Sequence, residues 1–177
     1  MLEGKKVNLR IMEKEDLLTT VTEWNNDPGF YGEYELRQDS QTEMEKIFEA
    51  TSEKKWFMIE KKDGSKIGII GYFPEGKLLE IGYALVPSER GKGYSTEAVK
   101  IIVDFIFLLK EVVRVQADTD VRNVASQKVL EKANFKKEGT IRKSAFIRGE
   151  WRDCAMFSIL REEWKEPKIL RKPTSQN

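Results

Sequence analysis

The stretch "VPSERGKGYSTEAVKIIVDFIF", residues 86–107, sets Pro87, a charged run and two glycines around one lysine directly ahead of a long apolar helical pattern. Upstream, "LLEIGYALVP" (78–87) reads as a strand that Pro87 ends. Downstream, Ala98, Ile101, Ile102, Phe105, Ile106 and Leu109 recur at helical spacing and form one apolar stripe. Strand, glycine turn, helix is an arrangement that holds anions. The first helical N–H groups have no partner within the helix, and the helix dipole adds partial positive charge there. Gly91 and Gly93 allow close backbone approach, Arg90 and Lys92 add charge, and Tyr94 and Ser95 open the helix. The expected ligand is a phosphate or pyrophosphate, against the competing reading of a turn that serves chain geometry alone. A P-loop would need glycine where Val86 stands, and the dinucleotide fingerprint would need one at Thr96, so neither fits.

Outward from that turn the pattern alternates between periods of two and 3.6. Lys5 to Met12 reads as a strand and Glu13 to Trp24 as a helix broken by "NNDPGF". Thr42 to Thr51 reads as a second helix, with Thr42 and Glu45 at capping-box spacing. "KWFMIEK" (55–61) and "KIGIIGYF" (66–73) are strands joined by a turn at Lys62-Asp63-Gly64-Ser65. "VVRVQADT" (112–119) is a strand, Asn123 to Ala133 a helix, and Phe135–Lys143 with Trp151–Leu160 a final strand pair. The order β-α-α-β-β-β-α-β-α-β-β describes one mixed α/β domain over residues 1–161, followed by a charged tail over 162–177 expected to fray.

Composition narrows the chemistry. The 177 residues are 40% hydrophobic and 34% charged with a formal charge of +1, so no global field points to nucleic acid or an anionic membrane. The apolar run at Ile101–Leu109 is broken by Asp104, so no membrane partner is expected. The opening Met-Leu-Glu-Gly-Lys-Lys lacks the apolar core of a signal peptide, and a single cysteine, Cys154, suits a reducing compartment, so a cytoplasmic location is expected. The chain has no histidine, which removes Ser-His-Asp and Cys-His catalysis and every His-ligated zinc site. Proton transfer falls to carboxylates, hydroxyls, amines or water.

Arg90-Gly91-Lys92-Gly93-Tyr94-Ser95, after "EIGYALVP" and before a helix carrying Glu97-Ala98, resembles the acetyl-CoA loop of the GNAT N-acetyltransferases. Their pattern is Gln/Arg-x-x-Gly-x-Gly/Ala; its first position falls on Ser88, a departure at a place where main-chain groups carry most of the contact. "EWNNDP" (23–28) and "NVASQKVLEKANFKKEG" (123–139) resemble the RimJ/RimL-like branch of protein N-terminal acetyltransferases. The resemblance implies a GNAT-like fold, a mostly antiparallel sheet whose central strands splay, with acetyl-CoA as co-substrate and no metal. It places the coenzyme pyrophosphate at residues 90–95 and the pantetheine against the main chain near Leu85 and Val86. It gives Asn123 a coenzyme contact, although a helix N-cap accounts for an asparagine there equally well. Asn134 stands where the family has glycine, and asparagine tolerates the left-handed conformation that ends a helix.

The activity so implied is acetyl transfer to a primary amine, a protein N-terminus or a small amine, by direct attack on the thioester in a ternary complex. The attacking amine must lose a proton, and Glu80, early on the strand beside the splay, is the candidate base; the alternative is an exposed strand residue. Cys154 could carry an acyl group but sits in an alternating strand as a small core residue. Many relatives place an acidic tyrosine seven residues after the helix-opening asparagine, where this chain has Leu130. Ser126 matches the serine of the Asn-x-x-Ser pattern in the RimJ/RimL-like branch and shares a helical face with Asn123; it is the candidate to hydrogen-bond the departing sulfur, against the competing reading of a small helix residue packed near the coenzyme. The acceptor is expected against "DPGFYGEYELRQD" (27–39), with Tyr31 and Tyr34 as walls beside Phe30, and with Glu33, Glu35 and Asp39 attracting a cation; the competing reading is a solvated loop. A polyamine, an aminoglycoside, a small metabolite and a peptide N-terminus all stay open. A non-catalytic acyl-CoA sensor on the same fold is the alternative function, and the expected state is a monomer or homodimer.

Overall fold

Alternation in the strands and the apolar stripe of the long helix meet in one sheet with helices on both faces. The computed structural model describes residues 1–35, 37–49, 55–75, 78–167 and 169. The strands are β1 (Leu2–Glu3), β2 (Val7–Ile11), β3 (Lys55–Lys61), β4 (Lys66–Glu75), β5 (Leu78–Leu85), β6 (Arg114–Asp120), β7 (Lys136–Ile147) and β8 (Glu150–Leu160). They form an eight-stranded sheet in the order β1-β2-β3-β4-β5-β6-β8-β7. Only the β5–β6 junction is parallel, so the mixed, mostly antiparallel α/β architecture expected from the sequence is the one observed.

One face carries α5 (Tyr94–Leu109) and α6 (Val124–Lys132), which bury Ala98, Ile101, Ile102, Ile106 and Leu130 against Phe57, Ile59, Ile70, Val115 and Phe157. The other face carries α1 (Lys14–Asp16), a π-helical turn (Leu17–Val21), α2 (Thr22–Asn26), α3 (Pro28–Tyr31) and α4 (Gln41–Glu49). There Met12, Leu17, Val21, Phe30 and Met44 pack on Met58 and Ile69, the alternate residues of the same strands. The turn between β3 and β4 is as expected: Gly64 has φ 85°, and the Ser65 N–H donates to Asp63 at 2.9 Å.

Several local features differ from the sequence pattern. The short β1 pairs with β2 through Leu2↔Leu9 and was not anticipated. The first helix is interrupted by its π turn, where the Thr22 hydroxyl donates to the Leu17 carbonyl at 2.7 Å. The cap of α4 is Ser40, not Thr42: the Ser40 N–H donates to Glu43 at 2.9 Å and the Glu43 N–H returns to the Ser40 hydroxyl at 3.2 Å. The expected end of that helix at Thr51 lies outside the described residues. β7 continues past Lys143, whose φ of 50° marks a bulge, to Ile147. Asn134 does adopt the left-handed conformation, with φ 69°. The segment after Glu162 is not frayed at its start. Trp164 packs against Phe107 with ring centroids 5.4 Å apart and donates its indole N–H at 2.8 Å to Asp104, a carboxylate inside α5 with no solvent exposure.

Candidate active site

The glycine turn is built as its sequence demands. Gly91 has φ 77° and Gly93, the residue capping α5, has φ 84°, a region where an L side chain is strained. A Cβ on Gly93 would also lie 3.3 Å from the Lys6 ammonium, which donates to the Lys92 carbonyl at 3.1 Å. Lys6 is therefore a cation of the turn supplied by the start of the chain, which sequence spacing could not reveal. Lys92 pairs with Glu89 at 2.9 Å, and Glu89 also faces Lys61 at 3.6 Å. Glu97, in the first turns of α5, accepts from the N–H groups of Lys5, Lys6 and Val7 at 3.0, 2.6 and 2.8 Å. That carboxylate welds β2 to the helix and fixes the height of the turn. Tyr94 and Ser95 form the first helical residues, with Ser95 on the cavity wall. Arg90 points elsewhere. Its guanidinium donates to the carbonyls of Leu85 at 3.1 Å, Gly29 at 3.3 Å and Phe30.

The parallel junction is short. β5 and β6 pair only through Leu79↔Val115 and Glu80↔Gln116, and beyond Glu80 the strands part. The Val86 N–H donates across to Ile67 at 2.9 Å, so by antiparallel alternation the main-chain groups of Ile81, Tyr83 and Leu85 face the opposite edge, into the opening. Of the two expected contacts for an extended amide chain, Leu85 faces the notch while the Val86 N–H is turned to β4.

The notch separates two chemistries. On one face Glu80 accepts a hydrogen bond from the Gln116 amide at 3.0 Å, with Asp118 following two residues along the diverging strand. On the other face the Tyr83 phenol meets the Ser126 hydroxyl at 2.8 Å. Burial pushes the phenol up to about 12, with the Ser126 hydrogen bond working in the opposite direction. Tyr83 was not singled out in the sequence; its signal was its place in "EIGYAL", one pleat out of phase with Glu80. Asn123 caps α6: its side-chain oxygen accepts from the Ser126 N–H at 3.1 Å. Ser126, Asn123, Glu80 and Tyr83 all line one cavity of about 1730 Å³ that also takes in Gly91, Ser95 and Tyr31.

Residues 27–35, where the acceptor is expected, form an arm fastened from several directions. Its base is pinched where Asn25 donates to Asp39 at 2.8 Å and Asn26 exchanges hydrogen bonds with the Asp39 main chain. Arg90 holds Gly29 and Phe30, Arg148 from the β7–β8 turn donates to the Gly32 carbonyl at 3.0 Å, and Arg122 faces Glu33 at 3.8 Å. The Tyr31 phenol donates to Asn25 at 2.9 Å, and burial pushes it up to about 12 against the pull of Arg37. Tyr34 is raised as well, by burial first and by the neighbouring Glu33 and Asp120. Glu33, Glu35 and Asp39 are thus partnered by Arg122, Arg37 and Asn25. Cys154 is 6% exposed, and burial together with Asp118 pushes its thiol up to about 11, which makes it a poor nucleophile. Among the described residues no helix is long and apolar enough to cross a membrane, and no group of three or more acids, histidines or cysteines is placed to hold a metal.

A helix-capping glycine turn and a splayed parallel junction thus open into one cavity. The acetyltransferase (GNAT) domain family matches residues 6–136, and the chain belongs to that family; it is an N-acetyltransferase. Over 175 residues, 90% of this chain and 97% of the relative, it is 32% identical to the probable N-acetyltransferase YjcK of Bacillus subtilis. It is 26% identical to the spermidine N(1)-acetyltransferase of Escherichia coli across 99% of this chain and 100% of that one. The spermidine N-acetyltransferase of Vibrio cholerae, solved with CoA and spermine, shares the fold at a TM-score of 0.79 and 20% identity, over 91% of this chain and 99% of that one. GNAT acetyltransferases use acetyl-CoA as co-substrate.

Proposed function

We propose that this chain is a cytoplasmic member of the RimJ/RimL-like branch that acetylates a small primary amine, a polyamine in the simplest case. The observation that carries this reading is the single cavity joining the coenzyme turn to Glu80 under the fastened arm. An arm pinned by Arg90, Arg122 and Arg148 favours a slender acceptor over a folded protein's terminus. The spermidine-acetylating relatives that match the full length support the same class.

Acetyl-CoA supplies the activated acetyl thioester. The residues do the rest. The N–H groups at residues 91–95 hold the pyrophosphate, aided by Lys6 and Lys92, and the main chain of Ile81, Tyr83 and Leu85 pairs with the pantetheine amides. Glu80, oriented by Gln116, takes the proton of the amine directly or through water, which frees the lone pair for attack. Ser126 donates to the sulfur from the opposite face. Asn123, as the cap of α6, sets Ser126 in place.

The test is thiol release from acetyl-CoA across a panel of spermidine, spermine, an aminoglycoside and short peptides with free N-termini. Turnover with the polyamines is expected. Turnover confined to the peptides would replace the small-amine reading with N-terminal acetylation.

A further inference from the structure

Resting on the coenzyme half of that reading, we infer that Tyr83 is the positioning residue for the leaving group: its phenol holds Ser126 so that the serine hydroxyl can donate to the coenzyme sulfur. Tyr83 lies three residues beyond Glu80, in the stretch of β5 that β6 has left. Its main chain faces the notch and its ring crosses to α6, on the sheet face opposite Glu80. The phenol is 2.8 Å from the Ser126 hydroxyl and 3.3 Å from the Ser126 carbonyl. Both residues line the cavity that contains the glycine turn and Glu80. The base and the hydroxyl pair thus stand on opposite sides of the opening where the thioester must lie.

A lone serine hydroxyl on the first turn of a helix is free to rotate and to donate back to helix carbonyls. Either hydroxyl can donate at this distance; with the phenol proton directed at the serine oxygen rather than at the Ser126 carbonyl, one serine lone pair is occupied and the serine proton is left to point at an acceptor. Burial raises the phenol well above neutrality, so it remains a donor through the working range of pH. When the C–S bond breaks, its electron pair stays on sulfur. The thiolate then accepts the hydrogen bond from Ser126 and takes its proton from water after release; of the two protons the ammonium loses, one leaves before attack and one from the tetrahedral nitrogen, and they pass to Glu80 and to water. No proton need leave Tyr83, which suits a phenol that is a weaker acid than a thiol.

The test reads the sulfur itself and needs no acceptor. Free CoA is bound to the full chain and its thiol titrated through the ultraviolet absorbance of the thiolate, in the wild type, Tyr83→Phe and Ser126→Ala. The wild type is expected to hold the bound thiol below its value in free CoA. Each variant should raise it by about one to two pH units, the loss expected for one hydrogen bond to a charged group. The double variant should add little to either, because the two hydroxyls act as one unit. The other charged and titratable groups that line the cavity, among them Glu80, Arg90, Asp118, Asp120, Lys128, Lys132 and the Cys154 thiol, are common to all four proteins and cancel in the differences. An unchanged thiol in Tyr83→Phe overturns the inference, as does a shift in Tyr83→Phe with none in Ser126→Ala. Failure of the wild type to bind CoA overturns it together with the coenzyme reading. Absence of polyamine turnover with these shifts intact would sink the acceptor assignment alone.

Discussion

The glycine turn and the arm of residues 27–35 meet through the Arg90 side chain, yet they are built on opposite plans. Residues 90–95 are shaped by local backbone: two glycines at φ 77° and 84°, a cap and a helix start, all within six positions. The arm at 27–35 is shaped by long-range side chains, from Arg90, Arg122 and Arg148, on three elements distant in sequence. A main-chain cradle suits a ligand with a fixed pyrophosphate, since its N–H groups survive most side-chain changes. A wall pinned by exchangeable arginines can be altered by single substitutions, which suits the part of the site that sets the acceptor. The shared feature is Arg90, whose backbone belongs to the first region and whose guanidinium belongs to the second.

The largest effect is expected where the two regions meet. Glu80→Gln removes the proton acceptor while keeping a hydrogen-bonding group beside Gln116, so kcat should fall by roughly 10²- to 10⁴-fold. CoA affinity should be unchanged, and the remaining activity should move toward basic pH, where the amine deprotonates without a protein base. A wild-type profile in the variant would leave water as the sole acceptor. The coenzyme side comes next. Gly93→Val forces a β-branched residue into φ 84° and toward the Lys6 ammonium, a strain of about 1–3 kcal/mol carried by the turn itself. CoA binding, measured by calorimetry on a variant shown to be folded, should weaken about tenfold or more, with a smaller effect on the Michaelis constant of the amine. Equal loss on both sides would mean that the regions are not separable.

That separation also explains what could be read in advance. The turn, its helix, the Lys62–Ser65 hairpin and the left-handed Asn134 are encoded within a few residues, where steric rules act directly. The α4 cap could not be chosen so simply, because Ser40–Glu43 and Thr42–Glu45 both have the spacing of a capping box. The clamp between Asn26 and Asp39 delivers the chain at Ser40 and decides between them. Tyr83 and Ser126 are 43 positions apart and Arg90 is 61 from Gly29, so no periodicity joins them. For Arg90 the sequence suggested a phosphate ligand because of its neighbours; the fold sends its side chain across β5 instead.

The smallest effect expected is therefore the most discriminating. Arg90→Gln keeps a hydrogen-bonding side chain but loses the charged fork that spans the Leu85, Gly29 and Phe30 carbonyls. Those bonds are partly solvated, so the loss should be about 1 kcal/mol, which loosens the arm without unfolding it. The Michaelis constant of the amine should rise about fivefold, while CoA affinity stays within about twofold, because the N–H groups of the turn are untouched. Amide exchange across residues 28–34 should quicken in the same variant, and exchange in α5 should not. If CoA affinity falls while the amine constant holds, the guanidinium swings to the pyrophosphate when the coenzyme arrives. Arg90 would then be a phosphate ligand as its position in the turn suggested, and the arm would depend on Arg122 and Arg148 alone.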